Sequence, residues 1–298
     1  MTWAARTDVG KVRKVNEDSV LVAAGLFVVA DGMGGHTSGD VASQLTVASF
    51  VERCSNGLLP IADLAGVIEH ANASVMGHAQ EHHRDGMGST LVGAVLADNG
   101  GSPAVVVFHV GDSRCYVSEN GSLRQVTRDH SEVQELVDIG EITQDQAATH
   151  PHRNVVTRAI GIEPSVFADF AVLGPARRRR LLLCSDGVSG EVPFTDIERL
   201  LADEGVPVDD VADQLMSMVL AGRAPDNASL VVVDVEQPEW TDDDVDVTGP
   251  RARPQSDDTS PWPAPGLIVD VPETADGISS RSDDGPGDSD WMIDDVPT

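Results

Sequence analysis

A chain of 298 residues with 41% apolar side chains carries enough material for a packed core, so it is neither a peptide-sized scaffold nor a wholly disordered polypeptide. Its 49 acidic residues against 20 Lys and Arg leave a net charge of −29, which excludes nucleic-acid backbones as partners and disfavours anionic membrane surfaces. Cys54, Cys115 and Cys184 are widely spaced and read as reduced, no basic start followed by an apolar run marks a signal peptide, and the longest apolar run, about ten residues within Val20 to Ala30, is too short to span a bilayer; the expected location is cytoplasmic.

In chain order, Ser19 to Ala23 and Leu26 to Ala30 read as strands, the second running into Asp31 and a glycine-rich turn. Asp40 to Cys54 places Val41, Leu45, Ala48 and Val51 along one side of a helix, and Ile61 to Arg84 is similarly amphipathic. Thr90 to Ala97 and Ala104 to Val110 are strands separated by the turn "DNGG", and Cys115 to Ser118 is a strand followed by the hairpin signal Asn120-Gly121. Residues 130–161 form a polar, helical insertion. Arg180 to Cys184 and Ser229 to Val235 are further strands, flanking a helix over Val208 to Ala221 that Pro207 and the acids Asp209 and Asp210 initiate. The pattern predicts an α+β domain over residues 1–236, with antiparallel sheet between helices. From Glu236 onward 17 Asp and Glu face three Arg, a net of −14, so residues 237–298 are expected to form a disordered tail. Trp240, Trp262 and Trp291 punctuate that tail, which reads equally as a docking segment for a partner or as a solubilising appendage.

Four aspartates fall at strand ends: Asp31 after "LFVVA", Asp112 after "VVVFHVG", Asp186 after "LLLCS" and Asp226 before "NASLVVV". Any one of them is an ordinary turn residue. Gathered at one sheet edge they would repel each other unless a cation neutralised them, and carboxylates beside glycine carbonyls, as in Asp31-Gly32 and Asp186-Gly187, suit oxygen-seeking Mg²⁺ or Mn²⁺. Two such ions would activate a water and clamp a phosphoryl group. Arg13, near Glu17 and Asp18, offers a fork for phosphate oxygens; residue types alone leave a plain surface ion pair equally open.

The motifs "VRKVNEDS", "VVADGMGGH", "GMGSTLVGAVL", "HVGDSRCYV", "LLLCSDGVSG" and "PDNASLVVV" occur in the order of the bacterial PP2C, or PPM, metal-dependent protein serine/threonine phosphatases, and the chain resembles that family over about residues 3–235. The resemblance implies an α-β-β-α sandwich of two antiparallel sheets flanked by helices, and the hydrolysis of phosphoserine and phosphothreonine on proteins, Ser/Thr kinases among them. It matches Arg13 to the phosphate-binding arginine, Asp31 to the acid bridging two metals, the Gly32 carbonyl to a ligand of one ion, and Asp186 and Asp226 to acids holding the other. Glu17 and Asp18 match the pair that binds metal-bound waters, and Asp112 the ligand of a third site. Residues 130–161 fall where the family carries a flap. Met33 stands where many eukaryotic members have a histidine proposed as general acid, so the proton donor is unassigned between His36 and a metal-bound water.

Other chemistries fit less well. The positions six residues after the three cysteines are Pro60, Gly121 and Gly190, so no cysteine-phosphatase loop is present. "HAQEH" at His78 to His82 matches a zinc-protease pattern but reads as a polar helix face. Arg177 to Arg180 is expected as a solvated loop or a docking point for acidic proteins. A catalytically silent phosphoprotein-binding module is the alternative function, which the retention of Arg13, Asp31, Asp186 and Asp226 disfavours.

Overall fold

The computed structural model describes residues 1–236 apart from Ala24, 35–37, 55–60, 99–102 and Pro175, together with Ile268–Asp270. Eleven strands and seven helices lie within residues 1–236 of the described chain. One sheet runs β1 (Thr2–Asp8), β11 (Ala228–Glu236), β10 (Arg178–Cys184), β7 (Arg114–Glu119), β8 (Ser122–Gln125). The other runs β2 (Asp18–Ala23), β3 (Leu26–Met33), β5 (Leu91–Asp98), β6 (Pro103–Val110), β9 (Asp169–Leu173), with β4 (Gly88–Ser89) paired to the end of β3. All these pairs are antiparallel.

Why the strands read as unbroken apolar runs follows from the layers. In β10, Leu181 and Leu183 enter a core with Phe27, Val29, Val92, Cys115 and Val231 that lies between the sheets. Leu182 and Cys184 point the other way, onto α6 (Phe194–Ala202) and α7 (Val208–Ala221) through Ile197, Val211, Leu215 and Val219. The outer face of the second sheet packs likewise on α1 (Gly39–Cys54) and α2 (Ile61–Glu81), where Val28, Val106 and Phe108 meet Val47, Phe50, Leu64 and Ile68. A strand buried on both faces has no polar alternation to show. The Phe108 ring stacks on Phe50 at 5.4 Å and occupies the space a Cβ on its cross-strand partner Gly93 would need.

The two-sheet sandwich agrees with the sequence reading, the helical insertion takes the form of the short helices α3 (Glu132–Asp138) and α4 (Gln144–Ala147), and the structure adds elements not predicted: β1, β4, β9, α6 and α5 (Asp186–Ser189). Edge strand β9 (DFAVL) turns Ala171 and Leu173 inward and leaves Phe170 and Val172 exposed, so its outward positions are apolar and no polar alternation marks it in sequence. Arg177 to Arg180 is a correction. Arg179 and Arg180 are each only 2% exposed and belong to β10; Arg180 forks onto Asp234 at 2.7 and 2.8 Å and also donates to the Asp203 and Val206 carbonyls. Only Arg177 of the four is exposed, because cross-strand and loop acceptors draw the others in. The expected disordered tail, Trp240, Trp262 and Trp291 included, lies outside the described residues, except that Ile268–Asp270 form a short strand, β12, against Val20 to Val22 of β2.

Candidate active site

The two sheets bring their acidic strand ends to one place. Asp18 opens β2 directly across from Asp31 on β3, and Ser185, which precedes α5 in the other sheet's loop, donates its Oγ–H to Asp18 Oδ2 at 2.9 Å. Asp186 follows Ser185 and lies within electrostatic reach of Asp31. Asp226 precedes β11, and Arg13 donates from Nη2 to Asp226 Oδ2 at 2.8 Å while Nη1 lies 3.6 Å from Glu17 Oε2. The Arg13 side chain is 47% exposed, so this fork faces both the acids and solvent. Asp112, after β6, is buried within electrostatic reach of Asp186 and Asp31. All eight residues singled out from the sequence, Arg13, Glu17, Asp18, Asp31, Gly32, Asp112, Asp186 and Asp226, therefore lie around one end of the sandwich. His36 lies outside the described residues.

Desolvation and mutual repulsion govern these acids. Burial first, then neighbouring Asp186 and Asp226, push Asp18 up to about 7 despite its serine hydrogen bonds. Burial and Asp186 take Asp112 to about 7, and burial with four surrounding aspartates raises Asp31 well above the ordinary carboxylate range. Asp186 and Glu17 rise for the same leading reason. Asp18 Oδ1 is buried without a hydrogen-bond partner. A cluster of oxygen donors that must borrow protons to coexist, with one orphaned buried oxygen, fits a hard divalent cation in chemistry and in charge.

Two glycines are required by close packing. A Cβ on Gly32 would strike the carbonyls of Gly39 and Glu17, and one on Gly187 would strike the Asn227 carbonyl. Each glycine after a site aspartate thus lets another loop's backbone press against it.

Three contributors escaped the sequence reading. Asn227 accepts from the Glu17 amide through Oδ1 and donates from Nδ2 to the Val9 and Val15 carbonyls, tying the Arg13 loop to Asp226. Its signal was position alone, next to Asp226. Asp40, in the first turn of α1, raises Glu17 electrostatically and has a buried, unpartnered Oδ1. It reads from sequence as an ordinary helix-start acid.

The third is His130. Its Nδ1 accepts from the Gly111 amide at 3.0 Å, its own amide donates to the Gly111 carbonyl, and its carbonyl accepts from Thr157. Its Nε2 faces Asp169 Oδ2 at 3.4 Å and Arg158 Nη1 at 3.0 Å. His109, His130 and Asp169 offer ligand atoms within 4.8 Å of one another. They do not form a convergent metal cage: the imidazoles stack face to face at 4.5 Å, and Arg158 places a guanidinium 2.9 Å from Asp169 Oδ1, supplying the cation itself. The group is a latch joining both roots of the insertion to the loop that carries Asp112.

Residues 12–223 match the sequence profile of protein phosphatase 2C. The serine/threonine protein phosphatase PstP of Mycobacterium tuberculosis is 39% identical over 241 residues, which cover 79% of this chain and 45% of that protein; the chain thus spans less than half of PstP's length. The serine/threonine phosphatase stp of Listeria monocytogenes is 36% identical over 241 residues, 77% of this chain and 94% of that one. A crystal structure of the PstP catalytic domain in complex with two manganese ions superposes with a TM-score of 0.68 at 36% identity, covering 78% of this chain and 96% of that one. The chain belongs to the protein phosphatase 2C family. Among the described residues no helix is long and apolar enough to cross a membrane.

Proposed function

We propose that the protein is a metal-dependent phosphatase that removes phosphate from phosphoserine and phosphothreonine in proteins, Ser/Thr kinases among them, in the cytoplasm. The observation that carries this reading is the carboxylate cluster around Asp31, in which burial and neighbouring acids raise Asp18, Asp31, Asp112 and Asp186 and which Arg13 borders on its open side. Asp31, Asp186, Asp226 and the Gly32 carbonyl would hold two Mn²⁺ or Mg²⁺ ions, with Glu17 and Asp18 supporting their hydration and Asp112 serving a third. When bound, the ions supply an activated water and neutralise the charge that develops on phosphorus. Arg13 swings its fork from Asp226 to the phosphate oxygens and orients the group for in-line attack. Asn227 holds the Arg13 loop in register by fixing Glu17, Val9 and Val15. The acidic tail gives a docking segment for a protein partner, tested by comparing partner capture with and without residues 237–298.

The test is phosphate release from a phosphothreonine peptide by the full chain with Mn²⁺, with Mg²⁺ and with EDTA. Release that needs metal and that Asp186→Asn abolishes supports the reading; a folded protein that binds the peptide but releases no phosphate with either metal overturns it.

A further inference from the structure

A pocket of about 440 Å³ lies between the polar insertion and the α5–α6 corner. Its position ties it to the chemistry. Ser189, on its wall, closes the helix that Asp186 begins, so the wall lies one helical turn, about 5 Å, along α5 from a site acid. Arg114, also lining it, stands two residues after Asp112.

What the pocket would accept follows from its lining. One side is apolar: Tyr116, Val192 and Ile197 are buried there, and Phe194, 46% exposed, inclines its ring to Tyr116 at a centroid distance of 6.1 Å. The arginines of the lining are already answered. Arg114 is forked onto Asp129 at 2.6 to 3.1 Å, where Gln125 also donates, and Arg128 pairs with Asp138. A second phosphate or an acidic side chain would have to compete with those carboxylates. The insertion adds the amides of Gln134 and Gln144, which suit the peptide groups of an extended chain.

We propose that this pocket takes an uncharged, apolar side chain of the phosphoprotein substrate close in sequence to the phosphorylated residue, and so sets which sites are dephosphorylated. The proposal rests on the phosphatase reading above. Occupancy by the substrate, as against another partner, follows from the continuity of the pocket with the loop and helix that carry Asp112 and Asp186. An extended peptide advances about 7 Å every two residues, which matches a side chain one or two positions from the phosphoresidue.

The experiment uses the full chain with Mn²⁺, p-nitrophenyl phosphate, and a phosphothreonine peptide series in which each flanking position within three residues carries Leu, Gly or Asp in turn. At one or two positions Leu is expected to exceed Gly by about 10-fold in kcat/KM, with Asp below both. Phe194→Ala, an exposed position outside the carboxylate cluster, should shrink that preference several-fold through KM while p-nitrophenyl phosphate turnover stays unchanged. Phe194→Lys should move the preference towards Asp. Equal kcat/KM across the series, or a preference that survives both substitutions, overturns the pocket's role while leaving the phosphatase reading intact. No turnover of p-nitrophenyl phosphate under any metal overturns both.

Discussion

Asp18 and Asp31 face each other across β2 and β3, Asp18 buried and Asp31 half-buried, each raised by desolvation and by the other acids around it, and Ser185 reaches from the second sheet to hold Asp18 in place. Two facing carboxylates in an antiparallel pair are destabilising unless something neutralises them. The fold therefore keeps a repulsive feature at one end of an otherwise apolar sandwich.

Removing one charge from that cluster should stabilise the protein and stop its chemistry together. Asp186→Asn is expected to raise the melting temperature in EDTA by a few degrees, since relief of about 1 kcal/mol moves a domain of this size by about 2–4 °C. It should lower kcat by about 10³-fold or more and lose most of the thermal shift that saturating Mn²⁺ gives the native chain, about 2.7 kcal/mol at a hundred times Kd. Calorimetry with and without Mn²⁺ checks it; a variant less stable than the native protein in EDTA would refute the repulsion argument. Asp112→Ala should instead alter the metal dependence of turnover more than its maximum.

Arg13 borders the cluster with a half-exposed fork. Arg13→Ala is expected to cost about 10²-fold in kcat/KM, or about 2.7 kcal/mol of transition-state stabilisation, with the larger part in kcat. Arg13→Lys should recover only part, because an ammonium cannot hold two phosphate oxygens in one plane. Steady-state kinetics on a phosphopeptide decide it, and unchanged kcat/KM in Arg13→Ala would leave Arg13 as a surface ion pair.

Asn227 satisfies one amide and two carbonyls from the N-terminal loop. Asn227→Ala leaves those three groups without partners and is expected to destabilise by about 2–4 kcal/mol, with weaker Mn²⁺ binding as the Arg13 loop loosens. Denaturant unfolding and Mn²⁺ titration by calorimetry measure the two effects separately.

His130 gives an acid-side signature. Burial, with His109 and Arg158 beside it and only Asp169 opposing, lowers it to about 4. Unfolding returns it to its ordinary range near 6.5, so the unfolded chain binds more protons between about pH 6.5 and 4 and the native state loses stability as pH falls through that window, by up to about 3 kcal/mol. His130→Asn, whose amide oxygen can still accept from Gly111, should flatten that part of the stability curve in EDTA. An unchanged slope would show that His130 does not titrate on unfolding.

The strand-end aspartates and the helices α1, α2 and α7 were legible because periodicity and turn chemistry mark them locally, although α2 ends at Glu81 rather than Arg84. Arg180 was not: a run of four arginines looks solvated until Asp234, 54 residues away, supplies a buried acceptor. Asn227 and His130 were hidden for a related reason, since their roles are bonds to backbone groups of distant loops, and backbone leaves no mark in composition. Arg180→Ala should cost about 3–5 kcal/mol, because Asp234 keeps only Arg178 at 3.2 Å and the Asp203 and Val206 carbonyls lose their donor, whereas Arg180→Met with Asp234→Leu should cost less, since no buried acid then lacks its fork. Urea unfolding of both variants makes that comparison.

β11 is the last strand of residues 1–236 to be made, yet it sits between β1 and β10 inside its sheet, and Asp226 arrives with it. On the ribosome, β1 has no partner until some 220 residues have followed it, so the first sheet closes late and by its most non-local pairing. The first strand and the last metal-ligand candidate are thereby joined in one event: a nascent or truncated chain that stops before Asp226 lacks both a closed sheet and a complete acidic cluster. Assembly of the fold and completion of the acidic cluster are coupled in time, and a chain that ends short of Asp226 has neither.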